Sequence, residues 1–511
     1  MTLQHMKLFG SKPGLKILFV GPEASPFAKV GGLGSVMYSL PKALTHLGHD
    51  ARVMIPRYIS IDDEKYSLEK MIEHLEVPTG NSQGPSHLVC NVKKYTPKTA
   101  DDPVTTYFLE NQEYYELRNN VYGYGDDPIR WALLCRGVLE FLKVDTRWTP
   151  DIIVAADWPT GFLPNFAKTI YKDDPVISKI TTIFAIHNLY HQGMFDHKFV
   201  NEMDYDDGHS PIPAFEEDRL MKVNAMRRGI MYADAVTTVS PTYAKEILTK
   251  DYGEMLDELL KERRGVLTGI LNGIDYEYWN PKTDPYIVHH YNATALEARL
   301  KNKQTLQERF NLPVNKNTFV IGIVSRLSKQ KGFDLLQYIT DAVLQELPMQ
   351  LVVVGEGDGE FMTYFKELEE KYPLKVATHL KFDSALPHLV YAGADAILVP
   401  SKFEPSGLTQ MEAMRMGAIP IVRKTGGLAD SVEDYNPNKQ SGTGFVFERF
   451  DSSSLMIALI RAFENFRDKK NWHGLQKRAM TQDFSWDRSG QEYINFFERA
   501  IKFNKRSNTG K

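Results

Sequence analysis

The stretch LKILFVGPEASPFAKVGGLGSV, residues 15–36, decides the fold class of this chain. Its apolar run at residues 15–20 predicts a buried strand. Residues 33–47 carry apolar side chains at helical spacing, and these side chains share one face: Leu33, Val36, Leu40, Leu44 and Leu47. Between strand and helix lie Lys29 and three glycines within four positions, which cost backbone entropy. A strand, a glycine-rich loop and a helix in this order predict an anion site at the start of the helix.

The same alternation of apolar runs with helical segments continues along the chain. Eleven such runs are predicted strands, at residues 15–20, 51–55, 104–110, 151–155, 181–188, 235–240, 318–325, 349–355, 396–401, 418–422 and 444–447. Strands that alternate with helices predict parallel sheets with helices on both faces. The fold class expected is therefore α/β, with doubly wound, Rossmann-like domains.

The length of 511 residues exceeds what one core supports, so two large domains or three ordinary ones are expected. The change-over falls near residues 265–285, which concentrate Gly, Asn, Asp and Pro. We predict an N-terminal domain at 1–268, a C-terminal domain at 269–484, and a final helix at 485–511 that returns to the first domain. Two such domains facing each other would leave a deep cleft at the carboxyl ends of their strands.

The composition excludes several classes of partner and site. A net charge of −4 gives no electrostatic case for a nucleic-acid or anionic-membrane partner. The sequence has no apolar run long enough to span a bilayer and no signal-peptide core in residues 1–14. Only Cys90 and Cys135 occur, so a disulfide framework and a cysteine-rich metal site are not expected. We expect a cytoplasmic protein.

The loop KVGGLGSV, residues 29–36, offers an anion the bare amides of Gly31 and Gly32 and the charge of Lys29. A nicotinamide-cofactor site fits poorly because Met37 occupies the place of the third glycine in G-x-G-x-x-G. A structural turn without a ligand remains the alternative for this loop taken alone.

The second half carries two basic residues at a predicted strand end. Arg326 and Lys331, in SRLSKQKGFD, could clamp a diphosphate, the arginine in a bidentate manner. Two solvated surface charges are the alternative.

The segment SKFEPSGLTQMEAMRMG, residues 401–417, predicts a helix opened by Pro405, Ser406 and Gly407. The backbone amides of Gly407, Leu408 and Thr409 would face a phosphate at the positive helix end. Glu404 would reach the group attached to that phosphate. Glu412 would either bind a ribose or stand as an exposed helix charge.

Seven motifs in this order resemble the bacterial glycogen synthase and plant starch synthase family. They are KVGGLGSV, IHNLYHQGMF, TVSPTYAKEI, LNGIDYEYWNP, SRLSKQKGFD, FEPSGLTQMEAM and TGGLADSV, and the resemblance covers roughly residues 15–500. The resemblance implies the two-domain GT-B fold. It also implies transfer of glucose, with retention and without a metal, from ADP-glucose or UDP-glucose to the non-reducing end of an α-1,4-glucan.

The resemblance also assigns roles to residues of this chain. Lys29, Gly31 and Gly32 match the loop of the family on the diphosphate side. His187 and Asn188 match a pair that contacts the donor glucose, and Asp157 matches the aspartate of a His-Asp-Trp signature. Glu404 matches the essential glutamate of the C-terminal domain. Asn272, in LNGIDYEYWNP, is a further candidate for substrate binding.

The chain departs from the family pattern at several positions. Ser35 stands where Asp is usual, and we expect it to act as a helix cap. Ser406 stands where Cys is usual and would keep a hydroxyl that opens the helix. Ala156 stands beside Asp157 where the family usually has a histidine, and Tyr190-His191 stand where it commonly has Ala-Tyr. Both departures lie on the same side of the predicted site.

Two other functions remain open at the level of sequence. One is a related GT-B glycosyltransferase with a small acceptor, and the other is a weakly catalytic glucan-binding relative, for which Ala156 is the only support. The aromatic cluster at residues 114–125 could stack on sugar rings or form a packed loop.

Overall fold

The computed structural model describes residues 14–82, 84–99, 102–193 and 206–509, and it describes the backbone alone for 506–509. The end of the predicted IHNLYHQGMF motif, Met194 and Phe195, lies outside the described residues. Within the described ranges, no helix has the length and apolar character needed to cross a bilayer.

The described residues form two compact units. The first comprises Met1–Thr237, Glu254–Thr268 and Gly490–Lys511, and the second comprises Thr238–Gly253 and Gly269–Ser489. The segment 238–253 thus belongs to the second unit, whereas the predicted boundary put it in the first. Hydrogen bonds explain the difference: Ser240 Oγ donates to the Pro405 carbonyl at 2.8 Å, and Thr425 Oγ1 donates to Glu246 at 2.9 Å.

Nine strands of the described residues form the sheet of the first unit, in the order β3-β4-β5-β2-β1-β6-β7-β8-β9. Their bounds are Lys16–Val20 (β1), Asp50–Pro56 (β2), Glu69–Pro78 (β3), His87–Tyr95 (β4), Thr105–Glu110 (β5), Ile152–Ala156 (β6), Thr181–Ile186 (β7), Ala235–Thr238 (β8) and Leu267–Gly269 (β9). β1 pairs in parallel with β2 and β6, and both pairings are buried.

Six strands form the sheet of the second unit, in the order β12-β11-β10-β13-β14-β15, and all five pairings are parallel. Their bounds are Phe319–Val324 (β10), Met349–Val354 (β11), Val376–His379 (β12), Ala396–Val399 (β13), Ile419–Arg423 (β14) and Phe445–Phe447 (β15). The buried core of this unit consists mainly of Val, Ile, Leu and Phe from these strands and from the helices that cover them.

Helices cover both sheets. Their bounds are Gly32–His46 (α1), Asp63–Tyr66 (α2), Asp127–Val144 (α3), Phe162–Lys168 (α4), Ala225–Tyr232 (α5), Pro241–Glu246 (α6), Asp257–Glu262 (α7), Glu297–Arg309 (α8), Asp334–Gln337 (α9), Thr340–Glu346 (α10), Gly359–Lys371 (α11), Leu386–Gly393 (α12), Thr409–Arg415 (α13), Gly426–Ser431 (α14), Ser452–Arg467 (α15), Lys469–Met480 (α16) and Trp486–Thr509 (α17).

The predicted α/β class with two doubly wound domains is confirmed, and the eleven predicted strands are present. The prediction missed β3, β4, β9 and β12. β3 and β4 pair with each other in antiparallel fashion, and β3 has two register shifts. Most side chains of β3 are exposed or half-buried, so its sequence lacks the continuous apolar run of a buried strand.

Each sheet has a point where the strand order reverses, and ligands of open α/β sheets bind at such points. In the first unit β1 and β6 are neighbours there, and in the second unit β10 and β13 are neighbours. The loops that leave these four strands carry Lys29, Asp157, Lys331 and Glu404. The fold therefore places the predicted site residues at the two switch points.

Candidate active site

The loop after β1 is organised around Glu23, a residue that the sequence did not single out. Its buried carboxylate accepts the backbone N–H groups of Val30 and Gly31 through Oε2, the second at 3.2 Å. Tyr122 Oη donates to Oε1 at 3.3 Å. The Gly31 amide is therefore already occupied, so the predicted role of this amide in holding an anion is wrong for this conformation. Lys29 is exposed.

The three glycines of the loop, Gly31, Gly32 and Gly34, have different surroundings. A Cβ on Gly34 would lie 2.9 Å from Glu23 Oε2, so glycine at this position leaves space for the carboxylate. A Cβ on Gly31 or Gly32 would meet nothing within 4 Å. Gly31 and Gly32 therefore border open space, where a ligand can approach the backbone.

Helix α1 begins at Gly32, and its N-cap is Gly31, which offers no side chain. Ser35 lies inside the helix, so the expectation that it acts as a cap is wrong. Leu47 is the C-cap and is exposed, whereas Val36, Leu40 and Leu44 are buried as predicted.

Asp157 directly follows β6. Its backbone has a φ of 62°, a value that residues other than glycine rarely adopt. Burial raises the pKa of its carboxyl to about 8, against the opposing effect of the backbone N–H groups of His187, Trp158 and Asn188. Its Oδ1 is buried and has no hydrogen-bond partner among the described residues. The raised pKa favours the protonated carboxyl at neutral pH, and Oδ1 is available for a ligand.

His187 and Asn188 follow β7 and lie beside Asp157. Burial lowers the pKa of His187 to about 4, so the imidazole is neutral at physiological pH. Asn188 Oδ1 accepts the Tyr190 amide at 3.1 Å and shapes the turn. The structure therefore brings together three of the predicted site residues, and it does so through backbone amides at neighbouring strand ends.

The aromatic cluster at residues 114–125 is mostly packed. Tyr115 is fully buried, and Tyr124 has the guanidinium groups of Arg118 and Arg130 each 4.8 Å from its ring centroid. Tyr122 contacts the site, through Glu23 and through the ring of Trp158, whose centroid lies 6.5 Å away. The interpretation as a packed loop therefore fits Tyr115 and Tyr124, whereas Tyr122 is part of the candidate site.

In the second unit, Lys331 and Glu404 form an ion pair of 2.6 Å. Ser401 Oγ donates to the same carboxylate oxygen of Glu404 at 2.9 Å. The carboxylate is buried, and the lysine is about one-fifth exposed. Lys331 is therefore not a solvated surface charge, and its Nζ already contacts the predicted essential glutamate.

Arg326 lies just beyond β10 and is exposed. In the described ranges no ion pair or hydrogen bond links its guanidinium to Lys331 or Glu404. The structure thus joins Lys331 with Glu404, and the diphosphate clamp of Arg326 and Lys331 stays a prediction.

The segment between Glu404 and α13 turns sharply at Gly407, whose φ is 65°. The N-cap of α13 is Leu408, with no hydrogen bond from its side chain. Ser406 Oγ is buried without a partner among the described residues, so the expectation that its hydroxyl opens the helix is wrong. The backbone of Gly407, Leu408 and Thr409 does precede and begin the helix as predicted.

Glu412 is half-buried, and Tyr391 Oη donates to it at 3.3 Å. It is therefore not the exposed helix charge of the alternative. Asn272 is buried, and its Oδ1 has no partner among the described residues. No hydrogen bond within those residues connects Asn272 with Glu404.

The segment TGGLADSV, residues 425–432, packs against the backbone that carries Glu404. The Gly427 amide donates to the Glu404 carbonyl at 3.1 Å. A Cβ on Gly426 would lie 2.0 Å from the Glu404 carbonyl oxygen, and one on Gly427 would lie 1.8 Å from that of Ser406. The two glycines therefore let α14 pack directly on the backbone that carries Glu404.

Two further observations bear on the chemistry of the site. Among the residues that the structure describes, no group of three or more His, Cys, Asp and Glu side chains is arranged to hold a metal ion. Ala156 is the last residue of β6 and is buried, so the position beside Asp157 carries only a methyl group.

Comparison with known proteins shows the family of this chain. The starch synthase catalytic domain family matches residues 16–262, and the glycosyl transferases group 1 family matches residues 304–476. A glycogen synthase of Thermotoga petrophila is 42% identical over 495 residues, covering 95% of this chain and 99% of that protein. A glycogen synthase of Clostridium perfringens is 42% identical over 489 residues, covering 96% and 99%.

Solved structures match this chain over nearly its whole length. The catalytic domain of starch synthase IV from Arabidopsis thaliana, bound to ADP and acarbose, has a TM-score of 0.81 and 32% identity, covering 96% of this chain and all of that one. Sucrose-phosphate synthase of Thermosynechococcus elongatus, with 16% identity and a TM-score of 0.53, shares the fold alone. The fold is that of GT-B glycosyltransferases. The chain belongs to the glycogen synthase and starch synthase family of glycosyltransferases.

Proposed function

We propose that this glycosyltransferase moves glucose, with retention, from a nucleoside-diphosphate glucose to the non-reducing end of an α-1,4-glucan. The observation that carries the proposal is the ion pair of Lys331 and Glu404 at the switch point of the second unit. As the bond to the diphosphate breaks, negative charge grows on the phosphate and positive charge grows on the sugar ring. A lysine next to a buried carboxylate matches that separation of charge.

In the proposed step the glucose C1–O bond to the diphosphate breaks, and the acceptor hydroxyl forms a new bond to C1 on the same face. The proton of that hydroxyl passes to the departing phosphate oxygen, so atoms and charge balance. Glu404 carries Lys331 and Ser401 on one oxygen, and we assign it charge stabilisation rather than nucleophilic attack. Arg326 and the amides of Gly407, Leu408 and Thr409 would share the diphosphate charge.

The first unit would supply sugar contacts. A protonated Asp157 can donate a hydrogen bond to a glucose hydroxyl, and neutral His187 can do so without adding charge. Lys29 and the open space at Gly31 and Gly32 would serve the donor phosphate or the acceptor. Asn188, Asn272 and Glu412 remain predicted substrate contacts.

ADP-glucose is the proposed donor, with UDP-glucose as the competing choice, because the Arabidopsis starch synthase IV structure is bound to ADP. We also propose that the reaction needs no metal, since Arg326, Lys331 and the amides of residues 407–409 would share the diphosphate charge, and a chelator should leave the rate unchanged. A cytoplasmic location is part of the proposal, and the two free, buried cysteines Cys90 and Cys135 suit a reducing compartment.

The test is release of nucleoside diphosphate from purified protein with glycogen, run separately with ADP-glucose and UDP-glucose. Glu404→Gln should reduce the rate by about 100-fold or more. Glu448→Gln, on an exposed carboxylate of the same unit paired with Lys424, is the matched control and should retain the rate. Product α-1,4 linkages should be cleaved by an α-amylase, which reports retention.

Three outcomes would contradict the proposal. Donor consumption with glucose transferred to a small sugar and not to glycogen would favour a small-acceptor enzyme. Binding of glycogen without release from either donor would favour a glucan-binding relative and would point to Ala156. Loss of activity with a chelator, restored by a metal, would overturn the metal-free mechanism.

A further inference from the structure

Glu23 stands apart from the residues that the proposed function uses. It lies in the loop between β1 and α1 and is only 2% exposed. Its Oε2 accepts the amides of Val30 and Gly31, and its Oε1 accepts the hydroxyl of Tyr122. A buried carboxylate is costly unless it is hydrogen-bonded, and here three donors from two parts of the chain satisfy it.

We propose that Glu23 is a positioning residue that fixes the loop at residues 29–32, and with it Lys29, in the conformation that receives the nucleotide sugar; this inference rests on the proposed function. The two amides bonded to Glu23 belong to the peptide units on either side of Val30, the residue between Lys29 and Gly31. Their attachment to one carboxylate oxygen sets the direction in which Lys29 leaves the backbone and the place where α1 begins.

The glycine pattern of the loop follows from this arrangement. Gly34 leaves space for Glu23, because a Cβ there would lie 2.9 Å from Oε2 and the carboxylate would have to shift. Gly31 and Gly32 have open space instead, so a flexible loop would have many conformations available. The carboxylate restricts this freedom before the ligand arrives, which lowers the entropy lost on binding.

Tyr122 extends the same contact toward the candidate sugar site. Burial, together with the nearby charge of Glu23, raises the pKa of Tyr122 well above its usual value, so the phenol stays a donor to Oε1. The ring of Tyr122 lies against Trp158, which directly follows Asp157. Glu23 therefore bonds to the loop at residues 29–32 through Oε2. Through Oε1 and Tyr122 it also contacts the aromatic side chains next to Asp157.

The test compares Glu23→Ala with Glu23→Gln. The alanine variant loses all three hydrogen bonds, and we expect KM for the nucleotide sugar to rise and kcat/KM to fall by about 10- to 100-fold. The glutamine oxygen can accept both loop amides while its NH₂ donates to Tyr122. The kcat/KM of Glu23→Gln should therefore stay within about threefold of the wild-type value. A role as a negative charge would instead impair both variants alike.

Glu140→Ala is the matched control. Glu140 is another buried carboxylate of the first unit, bonded to Tyr171 Oη at 2.5 Å and to Lys143, in α3 rather than in the loop. The Glu140→Ala substitution should lower the melting temperature without changing KM for the nucleotide sugar. An equal rise of KM in Glu140→Ala would reduce the effect at Glu23 to general destabilisation and would overturn the proposal.

Hydrogen–deuterium exchange separates this proposal from the proposed function. In the protein without substrate, peptides covering residues 27–33 should exchange at least about 10-fold faster in Glu23→Ala than in the wild type, and at the wild-type rate in Glu23→Gln. Unchanged exchange in Glu23→Ala would sink the positioning role even if the enzyme is active. A protein that transfers no glucose but shows the expected exchange would reject the proposed function alone.

Discussion

Lys331 and Glu404 lie 73 positions apart in the sequence and form an ion pair in the structure. Each side chain neutralises the charge of the other. Removing one of them therefore leaves the other as an unpaired charge that is buried or half-buried. Their effects on catalysis should therefore not be independent. Residues that work as a unit give strongly non-additive losses when they are removed together.

Lys331→Ala and Glu404→Ala should each lower kcat by about 100-fold or more, and the double variant should be little worse than either single one. The measurement is a double-mutant cycle on nucleoside diphosphate release. The paired surface residues Lys424 and Glu448 provide the control cycle, in which every variant should retain the wild-type rate. Losses that multiply in the first cycle would show that the two side chains act separately.

Asp157 gives a prediction about pH. Its folded pKa of about 8 lies above the ordinary aspartate value of 3.8, so its protonated form favours the folded state below pH 4. That contribution is lost as pH rises toward 8, at about 1.4 kcal/mol per pH unit. The difference in melting temperature between Asp157→Asn and the wild type should therefore grow from pH 5 to pH 8 and then level off.

Asp63 is the control of opposite sign. Hydrogen bonds from Lys93 and Arg57 outweigh burial and lower the pKa of Asp63, so its charged form contributes stability above pH 4 that is lost at lower pH. Asp63→Asn should lower the melting temperature at pH 7. A constant difference between Asp157→Asn and the wild type from pH 5 to pH 9 would show that Asp157 is not protonated in the folded protein.

At single residues, the sequence predicted a site whose members Asp157, His187 and Asn188 the structure brings close together, and their roles stay predictions. Asp157, His187 and Asn188 lie together because neighbouring parallel strands end at the same edge of the sheet. Glu23 was missed because its partners, Val30, Gly31 and Tyr122, are chosen by the tertiary path of the loop. Composition and spacing carry no signal for such a contact.

At the scale of elements, α14 supports the backbone that presents Glu404. Glu246 of α6 accepts the amide of Gly426 and the hydroxyl of Thr425, and the Gly427 amide reaches the Glu404 carbonyl. Strands and amphipathic helices were predictable from their periodicity. The role of α14 was not, because a close approach between two backbones depends on the absence of side chains and leaves no apolar pattern.

Gly427→Ala tests this contact. An ideal Cβ would lie 1.8 Å from the Ser406 carbonyl oxygen, so α14 or the segment at 404–407 must move. We expect a loss of about 1–3 kcal/mol in the free energy of unfolding and a fall in kcat. Denaturant unfolding and the diphosphate-release rate measure the two effects.

Gly474→Ala in α16 is the matched control, because a Cβ there would have its first contact at 3.6 Å, with the flexible end of Arg478. Alanine in a helix interior should stabilise the protein by about 0.5–1 kcal/mol and leave kcat unchanged. If Gly427→Ala retained wild-type kcat and stability, α14 would not be needed to present Glu404.

At the scale of the whole molecule, the chain does not divide once but crosses between its units several times. The sequence placed the change-over near residues 265–285, close to the structural boundary at Thr268. It did not identify 238–253 as part of the second unit, because the contacts that hold this segment, from Ser240 and Glu246, involve residues more than 160 positions away. Long-range hydrogen bonds of single side chains have no periodic signature.

The last crossing gives the final prediction. Helix α17 begins at Trp486, and from Gly490 onward it belongs to the first unit. Its Tyr493, Phe496 and Phe497 are almost fully buried, and Asn504 Nδ2 donates to Thr181 Oγ1 of β7 at 3.2 Å. Burial of each aromatic side chain contributes about 1.5–3 kcal/mol, so the helix carries a large part of the stability expected for one domain.

Truncation after Ser489 should therefore lower the melting temperature of the first unit strongly while the second unit, whose sheet and core lie within Gly269–Ser489, unfolds as before. Truncation after Lys505 removes only the end of the helix and is the control, with little expected change. Calorimetry would detect the split into two transitions, and hydrogen exchange at β7 and β8 would assign the weaker one. A single transition at the wild-type temperature after the longer truncation would mean that α17 is dispensable and that the first unit is held by its sheet alone.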